Sequence, residues 1–351
     1  MVAETTHDFS QPAAMWAAKK SGPETTTLVE VDVPRVEAES VLVRVRASAI
    51  CASDIPGWRA EVVGRGSPGR WHPDNPGLTG HEVAGEVVRL GGGVDASLMA
   101  QAVWIDPIAG CGDCGECRRG RQTFCSNVSL VCQGFAEYVV APARQCRPIP
   151  AGFNYSTASL IPDMVGTPMS AVKRAGVKSG ESVAVWGLGP VGLGLVQASL
   201  IAGGLPVFGL DPVASRRARA EAFGAIALDS SRPDSLNRLR ELTAGTGPDV
   251  VLCSVGNDRV SKEAFDALRL DGRMVTVAGH VSAGGEERKW VSGSWGCDEC
   301  DWPDVIEHLR SARFSLAGYV THQFPLRQVQ EAFVIRAGDL EGSFKVVVTN
   351  E

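Results

Sequence analysis

Apolar and polar side chains trade places almost residue by residue in short runs through the first part of the chain. Leu28-Val29-Glu30-Val31 and Val41-Leu42-Val43-Arg44-Val45 alternate as half-buried strands do. Met15-Trp16-Ala17-Ala18 begins the series, and Val83 to Val88 and Gln101 to Ile105 continue it. Gly and Pro separate the runs, so the pattern predicts a β-rich domain, partly a closed barrel. Near residue 165 the rhythm changes, and strand-like and helix-like segments alternate as parallel βαβ units require. Strands are predicted at Ser182 to Trp186, Pro206 to Leu210, Asp249 to Cys253, Arg273 to Val277 and within Lys289 to Trp295. Helices are predicted at Val191 to Ala202, Ala214 to Phe223, Ser235 to Leu242, Lys262 to Leu268 and Pro303 to Ser311. From Gly318 onward, Phe324-Pro325-Leu326 and Ser343 to Val348 look like a return to the first domain. The fold class is therefore α/β. Residues 1–165 and 318–351 form a β-rich domain, and residues 166–317 a doubly wound parallel sheet.

Composition narrows the partners. A chain of 351 residues exceeds the size at which single cores usually stop growing. Its net charge of −6 and pI near 5.6 argue against nucleic acid or an anionic membrane as the main partner. Arg118-Arg119-Gly120-Arg121 reads as a solvated loop. Met1 to Met15 lacks the apolar stretch of a signal peptide, which implies a cytoplasmic, reducing location. There, ten cysteines are metal ligands or buried thiols rather than disulfides. Ser182 to Leu210 is uncharged and long enough to span a bilayer, but its glycines, Pro190 and Pro206 break it into strand, turn, helix and strand.

Three constellations carry chemistry. Cys111-Gly-Asp-Cys114-Gly-Glu-Cys117, followed by Cys125, can surround one tetrahedral zinc; an iron–sulfur cluster or two disulfides are the alternatives. Four sulfur ligands leave no open position, so such a zinc holds structure. Cys51-Ala52-Ser53-Asp54 and Gly80-His81-Glu82 supply a thiolate, an imidazole and flanking carboxylates. A catalytic zinc takes three protein ligands, and Asp163, in the uncharged Leu160-Ile161-Pro162-Asp163-Met164, is the candidate for the third. The turn Gly187-Leu188-Gly189-Pro190-Val191-Gly192 joins a predicted strand to a helix, as a dinucleotide-binding turn does. Asp211, closing the next strand, can accept ribose hydroxyls and repel an additional phosphate, which favours NAD over NADP. Arg216 and Arg217 follow on the next helix, as solvated charge or as cofactor contacts. Cys297-Asp-Glu-Cys300 has the spacing of a redox pair but no thioredoxin-like context, and reads as ordinary thiols.

In this order, the constellations resemble the zinc-containing medium-chain alcohol dehydrogenase family, its polyol/sorbitol/threonine dehydrogenase-like branch, along nearly the whole chain. The resemblance implies a GroES-like catalytic domain with a structural-zinc lobe at residues 108–128, a Rossmann domain inserted into it, and an active site in the cleft between them. It implies two zinc ions per chain and NAD as hydride acceptor, with NADP less favoured. Cys51 and His81 would ligate the catalytic zinc. Asp163 would be the third ligand, because Ile-Pro-Asp-Met is similar to the context in microbial secondary-alcohol members. Glu82 would be a carboxylate able to approach the metal, Asp54 would orient His81, and Ser53 would pass the alcohol proton. Pro56 stands where liver-type members continue the relay through a histidine. Trp58 lies where polyol-oxidising relatives often carry an aromatic residue, and Arg59, Glu61, Trp71 and His72 add polar capacity. The implied reaction takes hydride from a secondary alcohol (a polyol, cyclitol or sugar-like compound) and gives the ketone, or runs in reverse. A simple secondary alcohol or L-threonine is the alternative, and a non-catalytic NAD-binding protein is the reading from another class. The family forms dimers and tetramers through its Rossmann domain.

Overall fold

A computed structural model describes residues 12–59, 80–278 and 288–350. The strand Ser40–Ala49 is the axis of its first sheet. One edge pairs antiparallel with Glu82–Leu90; the other pairs with Tyr138–Pro142 along its first half and with Lys345–Thr349 along its second. Ala102–Ile105 and Cys146–Pro148 extend the sheet on one side and Val320–Pro325 on the other. Among the described residues the outermost strands do not pair, so the anticipated barrel is hydrogen-bonded as an open one. Val41, Val43 and Val45 are fully buried and pack on Val83, Val87, Val103 and Ile105. The axial strand runs past the alternating stretch because its second half is Ala and Ser, which carry little of the pattern.

The second sheet has six parallel strands: β1 (Val183–Trp186), β2 (Val207–Leu210), β3 (Ile226–Leu228), β4 (Val250–Cys253), β5 (Arg273–Thr276) and β6 (Trp290–Gly293). Their spatial order is β3-β2-β1-β4-β5-β6, that of a doubly wound dinucleotide-binding sheet. The strand order reverses between β1 and β4, so a crevice opens beyond their carboxyl ends. Strands β1, β2 and β4 are buried throughout, which is why they read as unbroken apolar runs. Only three residues long, β3 gave no sequence signal. The helices fall at Pro190–Ile201, Ala214–Ala222, Ser235–Leu242, Asp258–Ala267 and Trp302–Arg310. Asp258–Ala267 starts earlier than its apolar spacing suggests, because the Asn257 side chain accepts the Val260 N–H at 3.1 Å and caps it. Ser182 to Leu210 folds as strand, helix and strand, and no described helix is long and apolar enough to cross a membrane.

The cysteine lobe is fastened to the segment that follows β6. Thr123 donates to Asp298 Oδ1 through its backbone N–H (3.0 Å) and its hydroxyl (2.8 Å), and Cys300 N–H donates to Gly120 O at 3.0 Å. Beneath them the fully buried Asp106 accepts from the Trp302 indole at 2.7 Å and from Gln122 Nε2 at 3.4 Å. Burial pushes its carboxyl up to about 7, against the Ile108 N–H and Arg147, whose guanidinium lies 3.8 Å away over the Trp104 and Trp302 rings. Cys297 is buried in this seam and Cys300 is exposed.

Candidate active site

The first donor cluster is assembled by strand register. Ala49 pairs with Glu82, so Cys51, just past one strand, and His81, just before its neighbour, meet at one end of the sheet. Asp163 arrives from a wide π-helical turn, Ile161–Gly166, that feeds the helix Thr167–Ala175; such turns re-aim a side chain out of helical register. Asp163 Oδ2 lies 3.1 Å from His81 Nε2 and 3.5 Å from Cys51 Sγ. Donor atoms of Cys51, His81, Glu82 and Asp163 all fall within 4.8 Å of one another. Ligands around a tetrahedral zinc with bonds of 2.0–2.3 Å sit about 3.3–3.8 Å apart, so the cluster can close on one ion with little movement.

Charge within the cluster points the same way. Burial opposes charge on the His81 ring, yet Asp163 and then Cys51 hold its pKa well above the ordinary value. Burial likewise opposes ionisation of Asp163, and His81 still draws it down to about 2. A thiol, an imidazole and a carboxylate are also the donor types that a zinc ion takes. Asp54 Oδ2 accepts the Cys51 backbone N–H at 2.9 Å, and its Oδ1 lies 3.8 Å from His81 Nδ1, so one carboxylate holds the Cys51 backbone and faces the His81 ring. Ser53 occupies the turn before the helix Asp54–Arg59, which contains Pro56.

Lys345 is not among the residues that the sequence motifs single out. Fully buried on the strand Lys345–Thr349, it donates to both carboxylate oxygens of the equally buried Glu82. Burial pushes the Glu82 carboxyl up and Lys345 draws it back down. The ion pair holds Glu82 behind the Cys51–His81–Asp163 face. A lysine in an apolar strand is visible in sequence, but only the β-pairing shows what it faces.

The second cluster is local. Cys111, Cys114, Cys117 and Cys125 bring their sulfurs within 4.8 Å of one another, with Cys111 and Cys117 Sγ 4.0 Å apart. Backbone N–H groups point at these sulfurs: Cys117 N–H to Cys114 at 3.4 Å, and Cys111 and Asn127 N–H to Cys125, each at 3.3 Å. Backbone N–H groups of Asp113 and Cys114 hold the Cys111 thiol down to about 7, favouring the thiolate a metal needs. The donor set suits one tetrahedral zinc with no position left open.

A cleft of about 630 Å³ runs from Cys51 and Met164 to the end of β2. Its walls include Gly187, Gly189, Pro190, Val191, Gly192, Asp211, Arg216 and Lys345. Gly187 sits at φ +82°, and a Cβ on Gly192 would lie 1.8 Å from Gly187 O, so only glycine allows this turn. No side chain caps the helix Pro190–Ile201, which leaves its first N–H groups facing the cleft. The buried Asp211 accepts the N–H groups of Leu188 and Val213, each at 2.8 Å, and carboxylate lone pairs remain for a ribose. Arg216 Nη1 is 3.7 Å from Asp211 Oδ2, while Arg217 turns away to the carbonyls of Asp211 and Pro212 and to Asp229.

Trp58 corrects the sequence expectation. It does not face a substrate: only 3% exposed, it packs on Phe333, and its indole N–H donates to Thr26 Oγ1 at 3.1 Å. An aromatic residue on a short amphipathic helix went to the core. Arg59 does line the cleft, and pairs with Glu24 at 3.3 Å. Glu61, Trp71 and His72 lie outside the described residues.

Residues 37–151 match the alcohol dehydrogenase GroES-like domain and residues 190–325 the zinc-binding dehydrogenase domain. An L-threonine 3-dehydrogenase from Pyrococcus abyssi is 32% identical over 329 residues, which span 89% of this chain and 92% of that protein. The chain belongs to the zinc-containing medium-chain alcohol dehydrogenase family. A sorbitol dehydrogenase from Bacillus subtilis is 28% identical over 92% of this chain and 93% of its own. The solved 2R,3R-butanediol dehydrogenase from Bacillus subtilis superimposes with a TM-score of 0.81 at 25% identity, covering 96% of this chain and 100% of that one. The α/β fold class anticipated from the pattern is the one found, and the protein is a zinc-dependent, NAD(P)-dependent oxidoreductase acting on CH–OH groups.

Proposed function

We propose that this dehydrogenase interconverts a secondary alcohol and its ketone, and that the preferred alcohol carries a second polar group on the adjacent carbon. The observation that carries the reaction is the convergence of Cys51, His81, Glu82 and Asp163 at the end of a cleft whose far wall is the Gly187–Gly192 turn. Zinc, when bound, supplies a Lewis acid that favours loss of the alcohol proton. Cys51, His81 and Asp163 would hold it; Asp54 holds the Cys51 backbone and orients His81; Ser53 takes the hydroxyl proton toward solvent. Glu82, kept close by Lys345, would be a further carboxylate beside the metal ligands. The four-cysteine lobe holds the structural ion. The glycine turn and Asp211 place the coenzyme, and the buried Asp211 carboxylate favours NAD over NADP. Residues 1–165 and 318–351 form the catalytic domain in this reading, and residues 166–317 the coenzyme domain.

Threonine, sorbitol and butanediol, named for the relatives, share a secondary hydroxyl beside an amine or a second hydroxyl, which supports the substrate class. The 32% identity to a threonine enzyme makes L-threonine the second reading. The edge strand β6, with Trp290 73% exposed, supports association of chains through this domain as a dimer or tetramer, and the reading keeps a cytoplasmic location. Initial rates of NAD reduction across polyols, cyclitols, vicinal diols, L-threonine and simple secondary alcohols test the assignment. A tenfold advantage for adjacent-polar substrates over simple alcohols is expected, and equal rates would refute the substrate class. A kcat/KM favouring NADP would remove the role given to Asp211.

A further inference from the structure

The turn that delivers Asp163 is gripped from two sides with no room to spare. On one side, a Cβ on Gly194 of the helix Pro190–Ile201 would lie 2.5 Å from Met164 O. On the other, a Cβ on Gly166 would lie 2.4 Å from Trp302 Cη2 and 2.8 Å from Cys297 Cβ. Only glycine fits at either point, so the indole of Trp302 rests directly on the backbone of the Ile161–Gly166 turn. The other end of the indole is fixed as well. Its N–H donates to the buried Asp106 at 2.7 Å, and its ring meets that of Trp104 edge-on, with centroids 4.7 Å apart at 61°. Trp104 belongs to the strand Ala102–Ile105 and pairs with Ala84, on the strand that begins just after His81. Asp301, beside Trp302, anchors the helix that leaves the turn: Ser170 Oγ donates to Asp301 Oδ2 at 3.1 Å, and Lys173 Nζ donates to its Oδ1.

We propose that Trp302 is a positioning residue for the reaction: by bracing the Ile161–Gly166 turn, it sets the distance of Asp163 from Cys51 and His81. The inference rests on Asp163 as the third zinc ligand and adds the residue that places it. A single π-helical turn is an uncommon geometry, and uncommon backbone geometry persists where its surroundings impose it. Here the surroundings include the sheet that supplies the other two ligands. Through Trp104, the indole is seated on the strands next to Cys51 and His81, and through Gly166 it is seated on the turn that holds Asp163. One rigid ring therefore spans the two parts of the chain that have to meet. A zinc ligand has to lie within about 0.2 Å of its bond length, so a small shift of the turn is enough to spoil the site.

The test uses the full-length protein and measures the zinc affinity of the catalytic site by chelator competition, with NADH affinity, read by fluorescence, as the control. Gly166→Ala forces a methyl group between turn and ring. It is expected to weaken catalytic zinc about 10- to 100-fold, the range found when a residue supporting a metal ligand is altered, with NADH affinity unchanged. Trp302→Phe, which loses the far edge of the ring and the N–H, should weaken zinc less, and provides the readout if Gly166→Ala does not fold. The double variant Gly166→Ala/Trp302→Phe has room for the methyl group and should bind zinc more tightly than Gly166→Ala alone. Unchanged zinc affinity in either folded single variant overturns the proposal. So does a double variant no better than Gly166→Ala, or an equal loss of zinc and NADH affinity, which would make the role of Trp302 one of general stability. Wild-type zinc affinity in Asp163→Asn overturns the third-ligand reading itself, a result distinguishable from failure of the Gly166 and Trp302 variants.

Discussion

The two donor clusters differ in how far the chain travels to build them. Cys111 and Cys125 are 14 positions apart, whereas Cys51 and Asp163 are separated by 112. The cysteine lobe can close on its ion once a single loop is in place, and its four soft ligands leave nothing open to chemistry. The other cluster exists only when the Ser40–Ala49/Glu82–Leu90 register and the Ile161–Gly166 turn are both formed. Its ligands are mixed and one side faces a cleft. The local cluster can therefore form from one loop alone, whereas the long-range cluster forms only when the fold around it is complete.

The largest expected effect separates the two. Cys51→Ala or Asp163→Asn should lower kcat by about a thousandfold or more and reduce zinc content from two ions per chain to one, with thermal stability little changed. If Asp163→Asn kept both ions and full rate, another residue would be the third ligand. Cys114→Ser should do the opposite. Loss of the lobe metal removes folding energy locally, so proteolysis within residues 111–125 should accelerate while the active-site ion stays bound. Equal protection with and without that metal would leave the lobe no structural role.

Lys345→Met sharpens the contrast from within the active cluster. An unpaired buried Glu82 costs on the order of 3 kcal/mol unless it takes up a proton, so a fall in Tm is expected, largely recovered in Lys345→Met/Glu82→Gln. No recovery in the double variant would mean that Lys345 supports the strand rather than the carboxylate. The smallest effect lies at Asp106, which joins the lobe to Trp302. Its folded pKa of about 7 exceeds the unfolded value of about 4. The folded state thus holds a proton that the unfolded chain has released. Its contribution to stability is full below pH 4 and is lost as pH rises to 7. Relative to Asp106→Asn, wild-type Tm should decline by a few degrees between pH 5 and pH 8. Parallel curves would show that Arg147 and the N–H donors keep Asp106 ionised throughout.

The legibility of the site follows the same division. All four lobe cysteines, the glycine turn and Asp211 could be read because their chemistry lies in short local spacings. The doubly wound sheet was readable because buried parallel strands are unbroken apolar runs, and β3 was missed because three residues make no pattern. The role of Lys345 was invisible because nothing local distinguishes a cation that faces a buried carboxylate from one that faces water. Trp58 misled for the converse reason: the sequence placed an aromatic residue near Cys51 and could not say which way the Asp54–Arg59 helix would turn it.

The pairing of Lys345–Thr349 with Ser40–Ala49 also bears on how the molecule is made. Every residue of the parallel sheet leaves the ribosome after the axial strand and before its partner, so that sheet can fold while the earlier one still lacks its closing strand. During that interval the second-half edge of Ser40–Ala49 is open and apolar, a surface that invites misassociation. That exposure ends only when Lys345–Thr349 emerges and pairs.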